Sequence, residues 1–322
     1  MARPKVTVSR RLPAAVEQRL QERYDTTLNA SDQRLSADAL AAALESSDAL
    51  VSTLGDPISA DLLGRCRPRA RIIAHFGVGY DNIDVTTART MGITITNTPG
   101  VLTEDTADLT IALLLASARR MSEGDRELRA GNWTGWRPTH LLGTRLSGKR
   151  LGLVGFGRIA QAVARRARLG FGMQVLAWSR SLTSDVAAQH GIQRIADLGD
   201  LLGSSDFVSL HVPGNADTRH LIDAARLARI PAHAHLINTA RGSVVDQEAL
   251  IDALTHRRIA GAGLDVFEHE PAVPAELLAL PNVCAIPHMA SATVESRTAM
   301  GMMVIENLDA FFAGQQPPNR VN

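Results

Sequence analysis

With 322 residues, 34 basic against 33 acidic side chains and a formal net charge of +1, the chain has no charge excess with which to seek nucleic acid or an anionic membrane surface. Hydrophobic residues at 45% and charged residues at 21% are the proportions of a folded globular protein, and the length exceeds what one core usually serves, so two domains are expected. Cys66 and Cys284 lack a C-x-x-C partner, which argues against a disulfide framework or a structural zinc site.

The opening run "MARPKVTVSRRLPAAV" lacks the apolar core and small-residue cleavage site of a secretory signal, and a cytoplasmic protein is expected. "KVTVS", "ALVSTL" and "RIIAHF" read as strands, with "SADALAAALES" as a helix between the first two, an alternation that predicts parallel sheets with crossover helices. "IIAHFGVGYDN" carries Gly77-x-Gly79 after an apolar run, but Asn82 stands where a dinucleotide motif needs Gly or Ala and no regular helix pattern follows directly, so a tight turn is expected. "VLTEDTADLTIALLLASARRMSEGDRELRAG" reads as one long helix. Its apolar run "LTIALLLASA" spans about half a bilayer and is therefore a buried helix, not a membrane span. It is followed by a Trp-rich loop, "NWTGWRPTHLLGTRLSGK".

A first domain boundary falls near Gly100, giving residues 1–100, then 101–288, then a C-terminal helical stretch over 289–322 that returns to the first domain. From Arg150 onward "RLGLVGFG", "MQVLAWS", "DFVSLHVP", "HLINTA", "GAGLDVF" and "NVCAIPH" form a second alternating series, and six strands suit a doubly wound nucleotide-binding domain.

"LGLVGFGRIAQAVARRARLG" is strand, turn and helix in the order that dinucleotide binding requires. Gly155 permits the sharp turn, Gly157 lets backbone N–H groups approach a pyrophosphate, and Ala160 replaces the third glycine where helix and strand pack. The competing reading is a glycine-rich turn with no ligand. The next strand should end in a carboxylate if the cofactor has a free ribose 2′-OH, yet Ser179 and Arg180 occupy that place. A guanidinium there can fork onto a 2′-phosphate, which points to NADP(H) first and NAD(H) second. The competing reading is a solvated arginine in a chain whose only lysines are Lys5 and Lys149.

Other strand ends carry His211, Thr239, Arg241, Asp265 and His288. Arg241, Glu270 and His288 have complementary chemistry: a cation for a carboxylate, a supporting carboxylate, and an acid-base imidazole. His233 and His235 form H-x-H in what reads as a loop, but no third ligand is near, and no metal is expected.

"VGFGRIA", "NTARGSVVD", "AGLDVFEHEP", "PHMASAT" and "FGVGYDNID" together resemble the D-isomer-specific 2-hydroxyacid dehydrogenase family over nearly the whole chain, and within it the glyoxylate, hydroxypyruvate and 2-ketogluconate reductase branch. The resemblance implies an α/β protein of two Rossmann-like, doubly wound domains with parallel sheets and an active site in the interdomain cleft. It makes residues 1–100 the first part of the substrate-binding domain and 101–288 the dinucleotide-binding domain.

By the same resemblance Arg241 would bind the substrate carboxylate and carbonyl, His288 would give its proton to the carbonyl oxygen, and Glu270 would hold His288 and raise its pKa. The backbone at Val78 and Gly79 would take the carboxylate. The implied cofactor set is Thr106, Gly155, Gly157, Arg158, Ile159, Ser179, Arg180, His211, Pro213, Thr218, Thr239 and Asp265. Ala290 departs from the family's usual glycine, and "VCAIPH" lacks the glutamine of formate-oxidising relatives. The expected activity is NADPH-dependent reduction of small 2-keto acids by a homodimer, with Trp133 and Trp136 in the family's dimer region. The alternatives are a cofactor-sensing corepressor or a dehydrogenase of another small acid such as phosphite.

Overall fold

The computed structural model describes residues 2–322, and packing divides the chain into two units: residues up to Leu102 together with Ser291–Asn322, and Thr103–Ala290.

In the first unit, short apolar runs alternate with helix formers to give β1 (Lys5–Val8), α1 (Ala14–Arg23), β2 (Asp25–Thr27), α2 (Ala37–Ser46), β3 (Ala49–Thr53), α3 (Ala60–Arg65), β4 (Ile72–Phe76), α4 (Val85–Thr90) and β5 (Thr94–Thr96). All strands are parallel, in the order β2-β1-β3-β4-β5. Buried on both faces, β3 and β4 are continuous apolar runs interrupted by Ser52 and His75, which the register sets opposite each other. Leu40, Leu44, Leu62, Leu63 and Ala88 from α2, α3 and α4 cover one side of this sheet. Strand β2 was not among the expected elements, because "DTT" is a polar edge strand with no apolar alternation.

The second unit opens with a correction. The long helical stretch is two helices, α5 (Thr103–Ala118) and α6 (Met121–Arg129), broken at Arg120 by a left-handed φ of +54°. Then follow β6 (Arg150–Val154), α7 (Arg158–Phe171), β7 (Gln174–Trp178), α8 (Ser184–Gln189), β8 (Gln193–Arg194), α9 (Leu198–Ser204), β9 (Phe207–Leu210), α10 (Ala224–Leu227), β10 (His235–Asn238), α11 (Gln247–Thr255), β11 (Gly261–Leu264), α12 (Ala275–Ala279) and β12 (Val283–Ala285). The sheet has seven parallel strands, not the six expected, in the order β12-β11-β10-β9-β6-β7-β8. The extra strand, β8, is the exposed dipeptide Gln193–Arg194, which carries no hydrophobic signal.

Leu113, Leu114, Ala160, Val163 and Ala167 of α5 and α7 pack on one face of this sheet, and Leu201, Leu202, Leu250 and Leu254 of α9 and α11 on the other. The apolar run of α5 is thus consumed inside its own unit. Strand order reverses between β6 and β9, and the crevice beyond their C-terminal ends is where an open sheet of this kind binds ligands.

The chain rejoins the first unit with α13 (Val294–Phe312), whose Gly301 lies so close to α1 that a Cβ there would stand 2.3 Å from a Val16 methyl. Among the described residues no helix is long and apolar enough to cross a membrane.

Candidate active site

The Gly155–Gly157 turn follows β6 and leads straight into α7. Gly155 has φ +93°, and a Cβ on it would lie 2.5 Å from the His211 carbonyl oxygen, so both conformation and space demand glycine. Most helices here begin with a side-chain cap, such as Ser36, Ser59, Thr183, Asp197 and Asp246. Helix α7 begins at Gly157 with no side-chain cap, and nothing lies within 4 Å of where a Gly157 Cβ would be. Its first N–H groups are left without a side-chain cap beside the open space at Gly157, the arrangement that receives a phosphate. Ala160 is fully buried, with its methyl absorbed in the core beside Ala164 and Val163. A dinucleotide fits this turn. Arg158 is exposed and Ile159 half-buried at the same helix start.

At the end of β7, Ser179 Oγ accepts a long bond from the Ser181 N–H, at 3.4 Å. The exposed Arg180 has a partner that its local sequence does not announce: Nη1 donates to Asp217 Oδ2 at 3.1 Å, with both side chains about 70% exposed.

Residues beyond the other strands are mostly engaged in shaping the rim. The His211 N–H donates to the Val154 carbonyl and its Nε2 pairs with Ser209 Oγ at 2.9 Å. Its edge touches solvent, but its surroundings bury the ring deeply enough to push its pKa down to about 3, so it is a neutral group. The Thr218 hydroxyl donates to the Pro213 carbonyl at 2.6 Å and fixes its own turn. Thr239 Oγ1 pairs with Thr110 Oγ1 at 2.9 Å, and Thr106 is buried one turn earlier in α5. These two threonines therefore tie α5 to the end of β10.

The sequence-expected pair of His288 and Glu270 is brought together. His288 Nδ1 lies 2.7 Å from Glu270 Oε2, both groups remaining about one-third exposed. Glu270 Oε1 accepts the Phe267 N–H at 2.9 Å, which fixes the carboxylate plane. Burial works to raise the Glu270 pKa, but the hydrogen bond and charge of His288, the Phe267 N–H and nearby Arg241 together bring it below its usual value. An ionised carboxylate only accepts, so Nδ1 carries hydrogen and Nε2 is left for exchange of a proton.

His288 adopts a left-handed backbone, φ +48°, a costly conformation for a non-glycine residue. Asp265 holds it there. Its carbonyl accepts the His288 N–H at 2.8 Å, and its two carboxylate oxygens accept the N–H groups of Met289 at 2.6 Å and Ala290 at 3.0 Å. Asp265 is fully buried, and burial raises its pKa against the lowering effect of those bonds and of His288. By the family resemblance Asp265 is expected among the cofactor contacts; its bonds to Met289 and Ala290 position His288, a role that the sequence does not show. Arg241 caps the short 3-10 helix Gly242–Val244, and its side chain packs where a Gly214 Cβ would lie, 2.9 Å from its Cγ.

In the first unit, the Val78–Gly79 loop follows β4. The Gly77 carbonyl accepts the Thr98 N–H at 2.9 Å, that of Val78 accepts Asn97 Nδ2 at 2.8 Å, and that of Gly79 pairs with His75 Nε2 at 2.9 Å. Across a planar trans peptide the next N–H points the opposite way, so three anchored carbonyls turn the N–H groups of Val78, Gly79 and Tyr80 away from their anchors. Among the described residues those of Val78 and Gly79 have no partner.

The H-x-H pair corrects another expectation. His235 is not in a loop: it opens β10, is buried, and pairs through Nδ1 with Ser117 Oγ at 2.8 Å, while His233 Nε2 pairs with Asp206 at 2.9 Å. A cavity of about 300 Å³ near His235, Ser117 and Cys284 includes none of the acid-base residues.

Residues 111–290 match the family described as D-isomer specific 2-hydroxyacid dehydrogenase, NAD binding domain. The chain is 48% identical to the glyoxylate reductase of Korarchaeum cryptofilum, over 99% of this chain and 96% of that one. It is 46% identical to the glyoxylate reductase of Thermococcus litoralis, over 99% and 97% respectively. A crystal structure of the NADPH-dependent glyoxylate/hydroxypyruvate reductase of Sinorhizobium meliloti, in complex with NADP and malonate, is similar with a TM-score of 0.88 at 37% identity, covering 99% of this chain and 97% of that one.

Proposed function

The chain belongs to the D-isomer-specific 2-hydroxyacid dehydrogenase family, and from that membership we propose that it reduces glyoxylate and hydroxypyruvate, with 2-ketogluconate as a further substrate, using NADPH in preference to NADH. Membership itself makes it an oxidoreductase that uses a nicotinamide dinucleotide. The observation that carries the proposal is the His288–Glu270 pair, held by Asp265 within a chain close to half identical to glyoxylate reductases.

When bound, the dinucleotide supplies a hydride. The chain's own residues do the rest. Arg241 binds the keto acid's carboxylate and polarises its carbonyl, and protonated His288 passes the Nε2 proton to the carbonyl oxygen as negative charge builds there. Glu270 keeps the ring oriented through Nδ1 and stabilises the imidazolium before transfer. Val78 and Gly79 offer N–H groups to a carboxylate.

NADPH preference is supported by the absence of a carboxylate at Ser179 and by the exposed Arg180 guanidinium. Its pairing with Asp217 is an exposed ion pair, worth at most about 1 kcal/mol, which a 2′-phosphate accepting charge-assisted bonds can displace. A homodimer is part of the same reading. With α5 packed internally, its support is the run of exposed apolar side chains Met121, Leu128, Trp133, Trp136 and Leu142.

The test is a rate matrix of glyoxylate, hydroxypyruvate, pyruvate, 2-ketogluconate and phosphite against both cofactors. Glyoxylate and hydroxypyruvate with NADPH should dominate; turnover confined to phosphite, or none with any acid, would overturn the proposal.

A further inference from the structure

The first unit's sheet contains a buried polar pair that the proposed chemistry does not use. Ser52 on β3 and His75 on β4 are register neighbours, both fully buried among apolar residues, with Ser52 Oγ 3.0 Å from His75 Nδ1. Buried polar groups on a parallel sheet are costly unless satisfied, and this pair is satisfied in one direction only. The Gly79 carbonyl can only accept, so His75 Nε2 carries the hydrogen of the 2.9 Å bond to it. In the neutral ring Nδ1 is then the acceptor and takes the Ser52 hydroxyl proton. A chain of two hydrogen bonds thus runs from the sheet interior to the Val78–Gly79 loop.

We propose that His75, oriented by Ser52, is a positioning residue that fixes the keto-acid-binding loop by holding the Gly79 carbonyl. Gly79 is then clamped from both sides: Asn97 fixes the peptide before it and His75 the peptide after it. Gly77 belongs to the same device. Its φ is not left-handed, yet a Cβ there would stand 2.7 Å from His75 Nε2, so glycine is required by the imidazole that reaches past it.

The inference rests on the reading that this loop receives the substrate carboxylate, and the experiment separates the two. Steady-state constants for glyoxylate and NADPH are measured for the wild type and for His75→Leu, His75→Asn, His75→Gln, Gly77→Ala and the double variant His75→Leu/Gly77→Ala. Losing the anchor should raise KM for glyoxylate roughly 5- to 10-fold, the scale of one hydrogen bond, with kcat and the NADPH KM nearly unchanged. Asn reaches Ser52 but falls short of Gly79 and should behave like Leu. Gln places an amide N–H near the position of Nε2 and should return KM to within about 3-fold of wild type.

Gly77→Ala should reproduce the His75→Leu effect, and the double variant should be no worse than either single one, because both break the same contact. If His75→Leu does not fold, the contrast between Asn and Gln decides the matter. Wild-type turnover with an unchanged KM in the Asn or Leu variant, or equal loss in Asn and Gln, would overturn the role of His75 alone. A wild type that turns over no 2-keto acid would overturn the substrate reading and this inference with it.

Discussion

Two Gly-x-Gly turns follow parallel strands in this chain, and they differ in what each glycine is for. At Gly155 the backbone is left-handed and the obstacle to a side chain is the main-chain carbonyl of His211. At Gly77 the backbone is ordinary and the obstacle is the His75 side chain. The first turn runs directly into the 14-residue α7, which begins without a side-chain cap. The second runs through a turn into the six-residue α4, which Asp84 caps from its own side chain. One motif thus leads into an uncapped helix terminus, and the other into a loop whose carbonyls are tied down so that its N–H groups at Val78 and Gly79 are left without partners among the described residues. The residues that surround and follow the glycines decide the chemistry.

Gly155→Ala is the sharpest way to break this distinction. The methyl meets immovable backbone in a left-handed conformation, and ~3 kcal/mol or more of stability or cofactor affinity should be lost. Urea unfolding together with a fluorescence titration with NADPH would register it. A near-native Gly155→Ala would mean that the two turns are not different in kind.

Acid probes the sheet that carries the Gly155 turn. Burial pushes His235 down to about 4, below its ordinary 6.5, so the unfolded chain binds this proton before the folded one does. The associated stability is complete above pH 6.5, is lost as pH falls toward 4, and amounts to about 3 kcal/mol. Urea melts at pH 7.5, 6 and 5 should show that decline, and because His211, pushed down to about 3, contributes a similar share over this range, His235→Gln should remove about half of it. An equally steep decline in the variant would assign the loss elsewhere.

Arg180→Ala tests what the cofactor turn reads. It should raise KM for NADPH by roughly 10- to 100-fold while leaving NADH nearly unchanged, because the lost partner exists only on the 2′-phosphate. Equal losses for both would return Arg180 to the ordinary surface arginines. Asp217→Asn is the smallest and most discriminating change. Freed of an exposed counter-ion, Arg180 should bind NADPH about 2- to 5-fold more tightly, with NADH unaffected. Weaker NADPH binding would show instead that Asp217 holds Arg180 in place.

The sequence is legible where pattern and burial coincide. Apolar runs such as "RLGLVGFG" and "DFVSLHVP" announced their strands, and family motifs singled out His288 and Glu270, which the fold brings to 2.7 Å. The short polar edge strands at Asp25 and Gln193 carry no such pattern. The break at Arg120 was hidden because a left-handed arginine looks like any helix-forming one. The Arg180–Asp217 pair joins residues 37 apart on the surface, where nothing periodic marks a partner. His75 reads as one polar residue in the apolar run "RIIAHF", and only the β3–β4 register shows that it meets Ser52. The positioning role of Asp265 likewise depends on a backbone conformation at His288 that residue identity does not disclose.

The central claim is that His288, held by Glu270, delivers the proton in keto-acid reduction. Its most direct test is kcat for glyoxylate with saturating NADPH in wild type and His288→Ala. The predicted result is a fall of about 10²- to 10⁴-fold with the NADPH KM little changed; a rate near that of the wild type would contradict it.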